Sequence, residues 1–203
     1  MNERIIQILI SSFTKILIPG IKVTIPLTIL SFTFGCIIAL FLALVQVANV
    51  KGLKQFARFY IWIFRGTPLL VQLYIVYYQL HFIPWPEGSI LGVELARVMP
   101  CILALSMNST AYVAEVIRSG IQAVDFGQTE AALSCGMTRT QAMVNIILPQ
   151  AVKNILPALG NEFVTMIKET SLASTFYIGE LMYTRTLLMS TKFYAWQPLI
   201  IIA

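Results

Sequence analysis

A chain of 203 residues that is 58% hydrophobic and only 11% charged, with a mean hydropathy of +0.80, has too little polar surface to fold as a soluble domain. It is therefore expected to be an integral membrane protein. The net charge of +5 does not point to a nucleic-acid partner, because the basic residues form no dense run and membrane proteins carry Lys and Arg on cytoplasmic loops.

Residues 1–22 mix apolar side chains with Glu3, Arg4, Lys15 and Lys22, and Ile5, Ile8, Leu9, Ser12 and Ile16 predict an amphipathic helix along the membrane interface. No small-residue cleavage site follows a separate apolar core, so no removable signal peptide is expected. Val23 to Ala48 carries no charge and is long enough to cross about 30 Å of hydrocarbon with some tilt. Pro26 lies in its first turn, where proline is tolerated. Lys51, Lys54, Arg58 and Arg65 follow without an intervening acid, which predicts a cytoplasmic connection and an N-terminus outside. The orientation rests on this loop, since Lys and Arg divide almost evenly between the two predicted sides over the whole chain.

A second span is expected over Phe59 to Ile83, broken at Arg65-Gly66-Thr67-Pro68. An Arg at the centre of a lipid-facing helix costs about 2.5 to 3.5 kcal/mol on insertion scales, which places Arg65 near the cytoplasmic boundary or against protein. The loop after Leu80 holds Pro84, Trp85, Pro86, Glu87 and Gly88 and is expected outside, with Trp85 at the interface. A third span is expected over Ile90 to Val116. At 100° per residue, Asn108, Tyr112, Glu115 and Ser119 share about 60° of arc, a polar stripe that either lines a pathway or hydrogen-bonds between helices.

The next stretch is polar and short-helical. Asp125 with Gln128 resembles a capping box that opens a helix near Phe126, and Gly136 suits its C-terminal stop. Thr138 with Gln141 is a second capping box, opening a helix that meets Pro149, where the missing N–H predicts a kink or restart. Ala151 to Ser171 then predicts a fourth span with one wet face. Asn154, Asn161, Glu162, Thr165, Lys168 and Glu169 lie within about 120° of arc, and intramembrane ionisable groups face a cavity or a partner. That face either forms a substrate path or holds a structural ion-pair network. Thr170 to Thr191, with Glu180 and Arg185, reads as an outer connector containing a short helix. Tyr194 to Ala203 is an apolar run shorter than the roughly 20 residues a span needs.

Catalytic chemistry has few residues to use. The chain lacks a Gly-x4-Gly-Lys-Ser/Thr phosphate loop, its only histidine is His81, and Cys36, Cys101 and Cys135 lie far apart, so neither a disulfide framework nor a Cys/His metal site is expected. The chain is not expected to be an enzyme or to hydrolyse ATP itself.

Glu130-Ala131-Ala132, Gly136 after three residues, and Ile146, Leu148 and Pro149 after nine more match every fixed position of the EAA loop. The chain thereby resembles the permease subunits of ABC importers. Arg65-Gly66-Thr67-Pro68-Leu69-Leu70, Ala111-Tyr112 with Glu115, and the run from Asn154 to Glu162 are similar to polar amino-acid permeases, and the likeness covers roughly residues 12–203. The resemblance implies an all-α integral membrane protein of the type I ABC importer fold, with about five transmembrane helices, the last incomplete here. Its transmembrane domain is expected over 23–203, with a cytoplasmic coupling loop over about 125–149. It also implies that Glu130, Ala131, Ala132, Gly136, Leu148 and Pro149 couple the permease to ATPase subunits. The expected partners are two ATPase subunits, a second permease chain, identical or homologous, and an extracellular or periplasmic solute-binding protein. The expected cargo is an amino acid crossing a bacterial plasma (inner) membrane. No cofactor is expected on this chain, ATP and Mg being used by the partner subunit. Asn108, Tyr112, Glu115, Asn161, Glu162, Thr165, Lys168 and Glu169 are the candidate substrate path. The alternatives are an ion-coupled carrier or channel using Glu162, Lys168 and Glu169, and an ABC permease for another small solute.

Overall fold

The computed structural model describes residues 2–48, 50–80, 82–85, 87–90 and 92–192. His81, Pro86 and the apolar run from Tyr194 lie outside the described residues, as do the side chains of Glu3, Arg4, Ile5, Ile8 and Leu9. Helix α1 (Asn2–Pro19) passes through a π-helical turn (Gly20–Thr24) into α2 (Ile25–Val47). Within this apolar stretch the Thr28 hydroxyl donates to the Thr24 carbonyl at 2.8 Å, satisfying a buried polar group inside its own helix.

Helices α3 (Leu53–Gly66) and α4 (Leu69–Leu80) follow, interrupted at the expected place. Proline disfavours the α-region for the residue before it, and Thr67 is extended (φ −119°, ψ 144°), its hydroxyl donating back to Ile63 O at 2.8 Å. Helix α3 starts six residues earlier than the second span read from the sequence. Lys54 and Arg58 thus sit on a helix face rather than in a loop.

The third span also differs from expectation. Ser89–Ile90 (β1) pairs antiparallel with Val93–Glu94 (β2), in the register Ser89 to Glu94 and Ile90 to Val93. Helix α5 therefore runs Leu95–Gln122 instead of Ile90 to Val116. Gly92, at φ +75°, turns the chain here, and a two-residue strand is too short to leave an alternation that competes with a helical reading.

Beyond α6 (Phe126–Ser134) and α7 (Arg139–Ala142), a π-helical turn (Met143–Ile147) leads into α8 (Leu148–Glu169), a 3₁₀ segment (Thr170–Phe176) and α9 (Leu181–Lys192). After the π turn the α-helix resumes at Leu148, one residue before Pro149, close to the restart expected there. The widened π turn just before it absorbs the lost N–H and the clash that a proline ring makes with the carbonyl one turn back. By length and composition, Ser12–Val47, Leu95–Gln122 and Arg139–Phe176 can each cross a membrane, and α3 with α4 adds a fourth, broken span.

The contacts group into two units. One comprises residues up to Phe32, Leu69–Ser106 and those from Thr165; the other comprises Thr33–Pro68 and Met107–Val164. In the first, Leu27, Leu73, Val98, Cys101, Leu105, Met166 and Ile178 form the core, where Tyr77 stacks on Phe176 at 4.3 Å between ring centroids. In the second, Tyr60 donates its phenol to Met107 O at 2.7 Å, and Thr110 donates to Gly35 O at 3.3 Å. Helices α5 and α8 meet closely in this unit. A Cβ on Gly120 would lie 2.3 Å from Ile155 Cγ1, so only glycine allows that approach without a shift.

Glu180 caps α9. Its side chain is 1% exposed and accepts from the backbone N–H of Met182 at 2.8 Å and of Tyr183 at 2.7 Å. Burial pushes its pKa up from 4.5 to about 7, against the lowering effect of the two N–H donors. Between these values the folded chain keeps a proton that the unfolded chain has released. The contribution is complete below 4.5 and is lost as pH rises through about 7. The thermal midpoint of the detergent-solubilised protein should fall between pH 5 and 8, and Glu180→Gln, neutral throughout, should flatten that slope. Equal slopes for both proteins would refute the assignment.

Candidate functional site: a capped connector and a charged cluster

The stretch between α5 and α8 is built from local hydrogen bonds. Asp125 accepts from Gly127 N at 2.7 Å and caps α6. Gln128 does not return the bond as a capping box requires; its Oε1 instead accepts from Gln150 Nε2 at 3.3 Å. At the other end of α6, Gly136 N donates to Leu133 O at 3.0 Å and Met137 N to Ala132 O at 3.1 Å, the pair of bonds that closes a Schellman turn. That geometry places Gly136 at φ +83°. Thr138 and Gln141 form the full reciprocal box, Gln141 Oε1 accepting from Thr138 N at 2.8 Å and Thr138 Oγ1 from Gln141 N at 3.3 Å.

Helix α6 has one buried contact and one open face. Ala132 is buried, while Phe126, Glu130 and Leu133, within about 60° of arc on the other side, are exposed. Phe126 is 72% exposed. Of the remaining expected coupling residues, Ala131, Gly136 and Pro149 are exposed and Leu148 is half-buried. The connector thus presents a carboxylate between two apolar side chains on a short, doubly capped helix, a shape suited to entering a groove on another protein.

The second feature lies in the same unit. Glu115 receives Arg118 through two bonds, Nε to Oε2 at 2.9 Å and Nη2 to Oε1, and lies 3.7 Å from Arg65 Nη1. The Arg65 guanidinium also sits over the Tyr112 ring, 5.4 Å from its centroid, within cation–π range. Glu162 of α8 is half-buried and within electrostatic reach of Arg65. Arg65 therefore joins Tyr112 and Glu115 of the α5 stripe by direct contact, and its charge acts on Glu162 of the α8 stripe without an ion pair among the described residues.

The other stripe residues are placed differently. Asn108 is buried in the second unit and Asn161 is exposed there; Thr165 and Lys168 are exposed and Glu169 is half-buried in the first unit. Ser119 donates to Val116 O at 3.1 Å, so its hydroxyl is occupied by its own helix. Arg118 belongs to the cluster although the polar stripe does not include it. Its signal was Glu115 three residues earlier, a spacing that brings opposite charges together on a helix.

Residues 31–203 match the family described as binding-protein-dependent transport system inner membrane component. The chain is 45% identical over 166 residues to the octopine transport system permease protein of Rhizobium meliloti, covering 81% of this chain and 68% of that one. It is 39% identical over 199 residues to the putative glutamine transport system permease protein of Rickettsia bellii, covering 97% and 88%. Its fold superposes with a TM-score of 0.84, at 41% identity, on the crystal structure of an amino acid ABC transporter with histidines, covering 95% of this chain and 86% of that one.

Proposed function

The chain belongs to the family of inner membrane components of binding-protein-dependent transport systems, the non-catalytic permease subunits of ABC importers, and we propose that its cargo is a polar amino acid. Energy comes from separate ATPase subunits, because the permeases of this family rely on them. Relatives named for octopine and glutamine support the cargo class.

The exposed face of Phe126, Glu130 and Leu133 on α6 carries the coupling assignment. In the proposed assembly two permease chains, identical or homologous, enclose the path, two ATPase subunits using ATP and Mg close beneath them, and a binding protein delivers cargo from outside. Residues 1–22 form an interfacial segment with the N-terminus outside. The transmembrane domain is 23–203, and its connector is cytoplasmic. Glu130 and Ala131 seat the connector on the ATPase, buried Ala132 and the Gly136 turn hold α6 in place for it, and Leu148 and Pro149 join it to α8. Asn108, Tyr112, Glu115, Asn161 and Glu162 of the second unit line the path, which opens alternately to each side as the ATPases close and separate, and Thr165, Lys168 and Glu169 continue the polar face of α8 in the first unit.

Glu130→Lys tests the docking. Reversing the charge in the middle of the exposed face should cut recovery of the ATPase subunit with the tagged permease at least tenfold, about 1.4 kcal/mol of binding. Mass identification of what co-purifies from native membranes reads both this loss and the identity of any second permease chain. Full ATPase recovery with the mutant would remove the connector from the docking role.

A further inference from the structure

The second unit contains a partly open cavity of about 410 Å³ whose wall is strongly basic: Lys54, Arg58, Arg65 and Arg118 face a single carboxylate, Glu115. That carboxylate is already engaged by Arg118 through two bonds and by Arg65, so the cavity keeps an excess of positive charge. Gln46 of α2 also lines it. Its side chain is 8% exposed, and its Nε2 has no hydrogen-bond partner among the described residues. A buried donor without an acceptor is costly, and one that lines a basic cavity is matched by an anionic oxygen.

The helix that supplies most of the charge indicates which anion. On α3, Lys54, Arg58 and Arg65 share about 40° of arc, with Trp62, Phe59 and Phe56 following in order around the same helix. Trp62 lines the cavity and is 71% exposed, and Phe59 and Phe56 are 58% and 61% exposed. A basic strip therefore adjoins an open aromatic face, with Trp62 at the boundary. A soluble anion uses only the strip. A molecule with a phosphate at one end and hydrocarbon at the other uses both.

We propose that this cavity binds the phosphate headgroup of an acidic glycerophospholipid, with Gln46, Lys54, Arg58 and Arg118 around the phosphate and the acyl chains along Trp62, Phe59 and Phe56. Basic pockets between membrane helices hold anionic headgroups by this combination of charge and interfacial position. Arg118 and Gln122, in the last turns of α5, connect the bound headgroup to the segment that leads into α6. The inference rests on the membrane location of the chain; the cavity shares Glu115 and Arg65 with the charged cluster described above, while Lys54 and Arg58, which the test changes, lie outside the proposed path.

The test uses the complete permease–ATPase complex reconstituted in phosphatidylcholine with a minority of phosphatidylglycerol, then extracted gently and examined by native mass spectrometry for retained lipid. The wild type should retain phosphatidylglycerol in preference to phosphatidylcholine. Arg58→Gln should weaken that retention about fivefold, and Lys54→Gln with Arg58→Gln by more than tenfold. Lys153→Gln, an exposed charge on α8 outside the cavity, should retain the lipid as the wild type does. Arg58→Gln alone guards against a folding failure in the double variant, since Arg58 is exposed. Equal retention of the two lipids, or equal retention by wild type and double variant, overturns the proposal. Displacement of phosphatidylglycerol by millimolar inorganic phosphate also overturns it, by showing that the cavity recognises a free anion and gains nothing from the acyl chains.

Discussion

Replacing Gly136 with Val should leave the permease in the membrane at normal amounts while cargo transport falls more than tenfold. The cause is backbone geometry rather than collision, because a Cβ at Gly136 meets no atom within 4 Å among the described residues beyond its chain neighbours, while the residue sits at φ +83°. A side chain in the left-handed region costs about 1 to 2 kcal/mol, more for a β-branched one. The turn can escape that strain only by giving up the bonds from Gly136 N to Leu133 O and from Met137 N to Ala132 O. Those bonds set the direction in which α7 leaves α6, so their loss turns a rigid connector into a hinge. ATP hydrolysis by the assembled complex should persist but no longer respond to the loaded binding protein. Gly136→Asn should keep most of the coupling, since Asn visits the left-handed region with a smaller penalty. Wild-type transport by Gly136→Val would show that the turn is not a mechanical element.

Arg65→Gln should reduce transport at least tenfold with ATPase recovery intact, which separates it from the connector variants. Arg65 is 3.7 Å from Glu115, lies over Tyr112 and is within electrostatic reach of Glu162. Removing its charge leaves Glu115 to Arg118 alone and takes a positive charge away from half-buried Glu162, while the 44% exposure of the Arg65 side chain screens the effect on stability. Arg65→Lys should restore transport only in part. An ammonium supplies the charge but not the planar group that lies over the tyrosine ring while reaching a carboxylate. Uptake of labelled amino acid into proteoliposomes, with membrane abundance measured in parallel, reads both variants. Full activity in Arg65→Gln would assign the cluster to packing.

The parts of this protein legible from the amino-acid order are those held by short-range bonds. Asp125, Gly136 and the Thr138–Gln141 box mark the ends of α6 and the start of α7, because each forms its hydrogen bonds within a few residues of itself. Thr67-Pro68 likewise breaks α3 from α4 by a constraint between neighbours. The EAA pattern lies over this locally encoded connector, and the family was legible there through resemblance of the residue order to a known motif rather than through those bonds. Tertiary contacts settled the rest. Periodicity places Glu115 on a polar stripe but does not say that Arg65 reaches it, and it omits Arg118. It gives no reason for glycine at position 120, whose neighbour Ile155 comes from another helix. It also does not gather Gln46 with Lys54, Arg58 and Arg118 around one cavity, or bury Glu180 at the N-terminus of α9. Such meetings of distant residues are governed by how helices pack, through crossing geometry and side-chain volume, and a repeat of 3.6 residues carries neither.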